Sequence, residues 1–418
     1  MAEIILTEQI AYNIRNGFTG EDLPFRRIAA LPDGATVDNL IWISNNGDLI
    51  ENSKSVIDAR WFGVGSPNRT ASQQAAGIKR ACEIGLILNR EVHLPPGVFE
   101  MGNTVITLAG SFTSINVRGA GRRLTTLRWS GGAGRIRIMG GSGAMTSGSW
   151  TDMRLEGIDI SWLVEIVGKC GYKVKRCSFG RSRYGGVFTN PAGTEEFTEF
   201  SQFIDCDFDG GEYQKDNNGN YVLDGNGQRI KASYPCQTPI FYNKEGGSGH
   251  NSFHGSTPVD CKINMNMFAN TPVIEIGPGA NPYNCNIGSN QIWCPNAPEL
   301  GSRTIIQNNS TLSPSFTGIP TYEGFEQPTP VNNYENATVF MRGHRGFLIG
   351  AITGYTWYKL GSLVQTDGLN ITGSSTGNKL RYNRKPFTIA LDLTTGNNDT
   401  GVFAGDLDES ILARLTAS

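Results

Sequence analysis

The chain is 418 residues long, more than one compact core of ordinary size accommodates, so either several domains or one elongated repetitive domain is expected. Its 53 glycines, a charged fraction of only 18% and frequent Asn, Ser and Thr suit many short strands joined by tight turns, and argue against long helices. A formal charge of -2 argues against a nucleic-acid partner, and no run approaches the ~20 apolar residues that membrane insertion needs.

The first residues, Met1-Ala-Glu-Ile-Ile-Leu-Thr-Glu, lack a basic start, so no export signal is expected and synthesis and assembly belong in a cytoplasm. Residues 1–55 form an N-terminal attachment or capping segment, in which Leu40-Ile-Trp-Ile43 before Asn45-Asn46-Gly47-Asp48 predicts a β-hairpin. From Ser55 the text changes. Ser55-Val-Ile-Asp-Ala-Arg-Trp-Phe-Gly-Val-Gly65 reads as a strand and turn. Residues 71–89 read as one amphipathic helix with Ala75, Ile78, Ala81, Cys82 and Leu86 on a shared face. Val92-His-Leu-Pro-Pro-Gly-Val-Phe99 then reads as strand, turn and strand.

This order resembles the opening of the pectate-lyase-like proteins of phage tailspikes and polysaccharide depolymerases, over roughly residues 55–130. The acidic run that this family carries between the Gly and the helix is replaced here by Ser66-Pro-Asn-Arg-Thr-Ala-Ser72. The resemblance implies an all-β fold, a right-handed single-stranded parallel β-helix over 56–310 with its N-terminal end closed by the helix, and a protein of the virion tail that acts outside the cell. It implies a homotrimer, attachment to a phage tail or baseplate protein through the N-terminus, and a bacterial surface polysaccharide, capsule or O-antigen, as substrate. No cofactor or metal is expected.

Internal repeats point the same way. Leu155-Glu-Gly-Ile-Asp-Ile160, Val174-Lys-Arg-Cys-Ser-Phe179, Phe203-Ile-Asp-Cys-Asp-Phe208, Ile263-Asn-Met-Asn-Met-Phe268 and Ile287-Gly-Ser-Asn-Gln-Ile292 share one form, with an echo at Asn251-Ser-Phe253. Their last pairs, such as Ile158 and Ile160, Cys177 and Phe179, Cys206 and Phe208, and Asn266 and Phe268, are expected to face inward. A buried Asn there needs partners, as in an amide ladder. The eight cysteines form no C-x-x-C motif and read as reduced core thiols. Tyr213 to Ile230 interrupts the repeats and reads as a protruding hairpin, since the Gly of Asp216-Asn-Asn-Gly219 is misplaced for an EF-hand. Prolines 314, 320, 328 and 330 introduce residues 311–418, expected to be a C-terminal β-rich domain for capping, trimer contacts or sugar binding.

The alignment predicts an outward column of Asp159, Ser178, Asp207, Ser252, Met267 and Gln291, flanked by Gly157, Arg176, Asp205 and His250, and by Ser161, Gly180, Asp209 and His254. Glycoside hydrolysis needs one carboxyl as proton donor and another as base or nucleophile, ~5 Å apart when retaining and ~6.5 to 9.5 Å when inverting. The candidate constellation is therefore Asp205, Asp207 and Asp209 with Glu245, His250 and His254. A lyase remains open, because elimination from a uronic acid needs a base such as His250, His254, Lys244 or a Tyr, with an Arg neutralising the carboxylate. A binding-only spike of the same fold also remains open. Between Arg118 and Arg183 thirteen Lys or Arg face four acids, and between Glu195 and Asp216 eight acids face one Lys, so a basic strip is expected beside an acidic cluster. Arg176, Arg181 and Arg183, with Trp162, Tyr184 and Tyr213, are the candidates for gripping an anionic glycan by charge and ring stacking.

Overall fold

The computed structural model describes residues 11–312 except 34, 37–40, 46–47, 111–113, 131–132, 141–146, 159–161, 169–170, 194–197, 212, 232–235, 265–270, 284 and 294–302, and beyond 312 only short strand segments. Three long parallel sheets run through the chain, and from Glu91 to Ile276 each coil contributes one strand to each sheet in turn. The first sheet stacks seven strands, from Val56–Asp58 and Glu91–His93 to Thr257–Val259. The second stacks eight, from Gly97–Gly102 to Thr321–Glu323, and the third eight, from Val105–Gly110 to Asn332–Tyr334. This is a parallel β-helix.

The core is a set of in-register apolar ladders, one per sheet, spaced at ~4.8 Å per coil. Ile57, Val92, Val117, Trp150, Val174 and Phe203 line the first. The second holds Phe99, Leu127, Leu155, Phe179, Phe208, Ile263 and Ile292. Leu108, Ile138, Ile166, Phe188, Tyr242 and Ile276 line the third. All of these side chains are buried. Phe179 and Phe208 stack at 4.8 Å between ring centroids, so the aromatic ladder gains ring contacts beyond the ~1.5–3 kcal/mol of burying each large side chain.

The 18-residue helix Ala71–Leu88 closes the N-terminal end. Thr70 and Gln73 form its capping box and Asn89, in left-handed backbone, ends it. It packs on the first strand of every sheet and covers edges that would otherwise pair with another chain. Ala75, Ile78, Ala81 and Cys82 face inward as expected, whereas Leu86 is only half-buried and Ile84 is buried instead. Ahead of it lies a four-stranded antiparallel sheet whose hairpin, Trp42–Asn45 with Asp48–Asn52, is the one expected at Asn46-Gly47. Parallel pairing continues past residue 310, with Gln291–Trp293 pairing to Thr321–Glu323 and Arg303–Asn308 to Asn332–Tyr334. The last described strands form a small mixed sheet, Ala351–Ile352, Tyr355–Trp357, Gly368–Thr372 and Thr388–Leu391.

The registers correct part of the repeat alignment. Val174 pairs with Phe203 and Phe179 with Phe208, as expected, but Phe179 pairs with Leu155 and Phe208 with Ile263. The equivalent segment before Val174 is therefore Trp150 to Leu155, and the one after Phe203 begins at Pro258. Phe253 sits in a separate two-stranded sheet with Pro282. Asp159, Ile160, Ser161, Asn266, Met267 and Phe268 lie outside the described residues.

Candidate active site

The corner between the first and second sheets repeats one piece of chemistry. Asp152, Arg176, Asp205 and Asp260 occupy left-handed backbone, with φ of 61, 50, 48 and 52°, and the residue after each, Met153, Cys177, Cys206 or Cys261, is buried. The thiols of Cys177, Cys206 and Cys261 donate to the carbonyls of Trp150, Val174 and Phe203 one coil earlier. Asn290 takes this place in the next coil, donating to the Pro258 carbonyl at 3.0 Å and accepting from the Cys261 amide at 2.9 Å. That is the partnered buried amide the repeats require. The six described cysteines are buried and free. Cys170 and Cys294 lie outside the described residues.

Turning the thiol inward turns the following residue outward, because side chains alternate along a strand. Arg154, Ser178, Asp207, Lys262 and Gln291 thus form one column on the outer face of the second sheet. Glu100, Arg128, Glu156 and Gly180 run beside it, and Asp209, held by its amide on the Phe179 carbonyl, follows Phe208 at the next outward position. Asp207 and Asp209 are two residues apart along the chain path, so their α-carbons are ~6.6 Å apart, a spacing from which the two carboxyl groups can reach the ~6.5–9.5 Å of an inverting pair.

Arginines bind this acidic pair. Arg122 reaches Asp207 and Asp205, each at 2.8 Å, and also donates to the Asp205 carbonyl. Arg154 binds Asp209 at 3.1 Å, Ser178 at 3.2 Å, and Glu156. Arg128 links Glu156 at 2.9 Å to Glu100 at 2.8 Å. Burial pushes the Glu156 carboxyl up, but hydrogen bonds from Arg154 and Arg128 overcome it and hold the group below its ordinary range. A Cβ on Gly180 would stand 3.0 Å from the Arg154 guanidinium, so this glycine leaves the path from Arg154 to Asp209 open. Composition and spacing singled out Asp207 and Asp209, but not Arg122, Arg128, Arg154 and Glu156, which register alone brings to them.

The chain leaves the coil immediately after this pair. Residues 210–235 emerge at Asp209 and return at Cys236, whose amide donates to the Asp209 carbonyl at 2.7 Å. This insertion is not the single hairpin expected. Gln214, Val222 and Ile230, eight residues apart, close a ring of three backbone hydrogen bonds of 2.9 Å each, so three short segments pair around a triangle. Asp216 and Asp224 each cap a turn with the side-chain oxygen on two backbone amides. Arg229 lies 4.2 Å from the Tyr221 ring and 5.5 Å from that of Tyr213.

The other expected site residues separate. Trp162, Arg181, Arg183 and Tyr184 gather at the corner between the second and third sheets, from which the insertion also springs, and Arg135 lies 5.3 Å over Trp162. Tyr184 cannot present its face to a sugar, because it is 4% exposed, stacks on Phe241 at 4.5 Å and donates to Glu275 at 2.9 Å. Burial, and then Glu275, push its hydroxyl up to about 12. Arg183 covers its ring at 5.0 Å. Arg176 points to Asp152, at 2.7 and 2.8 Å, and with Asp205 belongs to the first-to-second corner.

Glu245, His250 and His254 follow the third-sheet strand Cys236–Lys244, at the opposite corner of the coil from the second sheet's outer face. Glu245 accepts from the Ala192 amide and His250 from that of Ser252. His254 stacks in register between Glu199 and Tyr283, its ring 5.3 Å from the tyrosine. The structure therefore unites Asp205, Asp207 and Asp209 but places the histidines and Glu245 elsewhere. Among the described residues no three His, Cys, Asp or Glu converge as ligands of a metal, and no helix is long and apolar enough to cross a membrane.

No family model and no curated protein matches the sequence. Solved structures that resemble the chain include the ORF18 protein of Geobacillus virus E2, 13% identical with a TM-score of 0.35 over 77% of this chain and 74% of that one. A tailspike of Acinetobacter baumannii bacteriophage Fri1, described as a capsular polysaccharide depolymerase, is 12% identical with a TM-score of 0.31, over 80% and 69%. A tailspike variant of E. coli bacteriophage HK620 in complex with a pentasaccharide is 11% identical with a TM-score of 0.31, over 86% and 77%. The β-helix assignment rests on this chain's own sheets and registers.

Proposed function

We propose that this chain is a phage tailspike that binds and cleaves a bacterial surface polysaccharide along the outer face of its second sheet, as a glycoside hydrolase. The observation that carries the reading is the outward pair Asp207 and Asp209, the first on the strand Asp207–Phe208 and the second just past its end, where its amide still bonds the Phe179 carbonyl one coil earlier, bordered by the 210–235 insertion. Regular strands fix the separation of two carboxyls better than loops do, and an extended glycan needs a long surface rather than a closed pocket. Arg122 and Arg154 orient the two groups, one as acid and the other as base for a water on the opposite face of the sugar. In the assembled particle the N-terminal sheet is the attachment piece, the C-terminal residues hold a homotrimer together, and the spike stands on the virion tail.

A second reading, a receptor-binding spike without catalysis, draws on the same network, since each of these carboxylates is engaged by an arginine, an arrangement that suits static recognition. The deciding experiment incubates the purified chain with capsular and O-antigen polysaccharides, following molecular mass and the absorbance of an unsaturated uronate. Falling mass without absorbance supports hydrolysis at Asp207 and Asp209. Falling mass with absorbance means elimination and moves the chemistry to His254 and Tyr283. Binding at constant mass leaves the receptor-binding reading.

A further inference from the structure

A cleft of about 420 Å³ lies beside the helix-capped end, lined by the Leu94-Pro95-Pro96 turn, Arg60, His93 and the strand end at Arg118. We propose that it is a subsite for a carboxylate-bearing sugar residue, which would make the substrate an acidic polysaccharide; this deepens the functional reading above and rests on it.

The floor is built for the face of a sugar ring. Leu94 is buried, and its amide on the Arg118 carbonyl, with the Gly97 amide on the Leu124 carbonyl, pins both sides of the turn. The Pro95 carbonyl accepts from Thr125, and the two proline rings add apolar surface with no amide hydrogen to hydrate. Such a floor with a few fixed polar groups at its rim is the usual composition of a small-molecule cleft.

Charge at the rim selects an acid. Asp58 is occupied by Arg60, which holds it at 2.5 Å, and Asp152 is occupied from two nitrogens of Arg176, at 2.7 and 2.8 Å. Arg118 reaches Asp152 only at 3.4 Å and its side chain is 59% exposed. Asp58 and Asp152 thus face Arg60, Arg176 and Arg118, while the neighbouring Glu91 is engaged by His93 at 2.6 Å, and the most loosely held cation is Arg118, whose planar fork matches a carboxylate.

The cleft is also joined to the carboxylate pair. Gly119 and Ala120 line it, and two residues on in the same loop Arg122 binds Asp205 and Asp207. Arg118 and Asp207 belong to coils three steps apart, ~14 Å along the axis, so one extended chain can occupy both. The Arg118, Asp152, Arg176 and Asp205 series marks the path between them.

The test is calorimetric titration of the full chain with tetragalacturonate and with maltotetraose, a neutral control, using wild type, Arg118→Gln and the distant surface variant Lys79→Gln. Tetragalacturonate should bind wild type and Lys79→Gln equally, at least tenfold more weakly to Arg118→Gln, and at least tenfold more tightly than maltotetraose. No binding of tetragalacturonate to wild type, equal affinity for both sugars, or equal affinity in Arg118→Gln overturns the proposal. Cleavage is scored separately with the polysaccharide panel. Charge-selective binding through Arg118 without cleavage removes the depolymerase reading and keeps the subsite, whereas cleavage of neutral glycans undiminished in Arg118→Gln does the reverse.

Discussion

Arg122 and Asp207 are 85 residues apart in sequence and 2.8 Å apart in the fold. The arginine sits in the loop after Ser114–Arg118, and the aspartate three coils further on. Arg122 therefore spans the coils between them and braces the outer face of the second sheet where the carboxylates stand.

Asp207→Asn and Asp209→Asn should each reduce polysaccharide cleavage by about a hundredfold or more, the loss expected when a general acid or base is removed. Folding should survive. Asp207 is 34% exposed, so its surface ion pair contributes about 1 kcal/mol or less after solvent screening. Full cleavage by both variants, with unchanged unfolding curves, would remove the pair from the mechanism.

The fold was readable where the chain repeats itself, and the site only where the repeat was in phase. Val174 to Phe179 and Phe203 to Phe208 align as expected because both carry Cys at the corner. Met153 replaces Cys one coil earlier, and Pro258 starts the coil after, so the pattern attached itself to Leu155 and Ile263, five residues late. That slip put Asp159 and Met267 into the aspartate column, and the Asn251-Ser-Phe253 echo, which belongs to a separate two-stranded sheet, brought His250 and His254 beside it. Alternation within one strand was enough to find Asp207 and Asp209. Contacts such as Arg122 to Asp207 depend on loop path and inter-coil register, which no local pattern of apolar residues encodes.

The Glu156 carboxyl, held below its ordinary range against its own burial by Arg154 and Arg128, links stability to acid. A depressed folded-state pKa gives stability that is complete above the unfolded value, near 4.5, and is lost as pH falls through the folded one. Denaturant midpoints of the wild type should therefore fall below about pH 4.5, and Glu156→Gln should be less stable at pH 7 with a shallower acid limb. Parallel curves for the two proteins below pH 4.5 would show that Glu156 does not carry this linkage.

Burial pushes the thiols of Cys177, Cys236 and Cys285 up to about 12, and that of Cys82 higher still. At pH 8 the native chain should expose at most two fast-reacting thiols to Ellman's reagent, Cys170 and Cys294, with all eight reacting after unfolding. Three or more fast thiols in native protein would contradict the closed cysteine corner.

Gly186 lies on the third sheet beneath Phe203, and a Cβ there would stand 2.1 Å from the ring. The ring is fully buried and packs on Phe179, Phe188 and Phe208, so it has nowhere to retreat. Gly186→Ala should cost about 1–3 kcal/mol by overpacking, read as a lower denaturant midpoint. Gly193→Ala, with open space around its Cβ but a φ of 69°, should cost less, about 1 kcal/mol of backbone strain. Equal losses would mean that backbone conformation, not the Phe203 ladder, sets the requirement at 186.

Glu51 ties the N-terminal sheet to the capped end of the β-helix. Its carboxylate is 3% exposed and binds Arg90, just after the helix, at 2.7 Å, Arg26 at 3.0 Å and the Trp42 ring nitrogen at 3.1 Å. Arg90 also donates to the Asn52 carbonyl at 2.6 Å. Removing the acid leaves a guanidinium that is only 13% exposed beside no counter-charge. Glu51→Ala should therefore cost about 3 kcal/mol or more, the usual penalty for breaking a buried pair on one side, and Glu51→Gln less, because the amide still accepts a hydrogen bond. If the sheet and β-helix depend on this contact, limited proteolysis of Glu51→Ala should release the first ~50 residues well before the β-helix is cut. A wild-type digestion pattern together with an unchanged midpoint would mean that the sheet holds by its apolar contacts, Leu23, Phe25 and Trp42, alone.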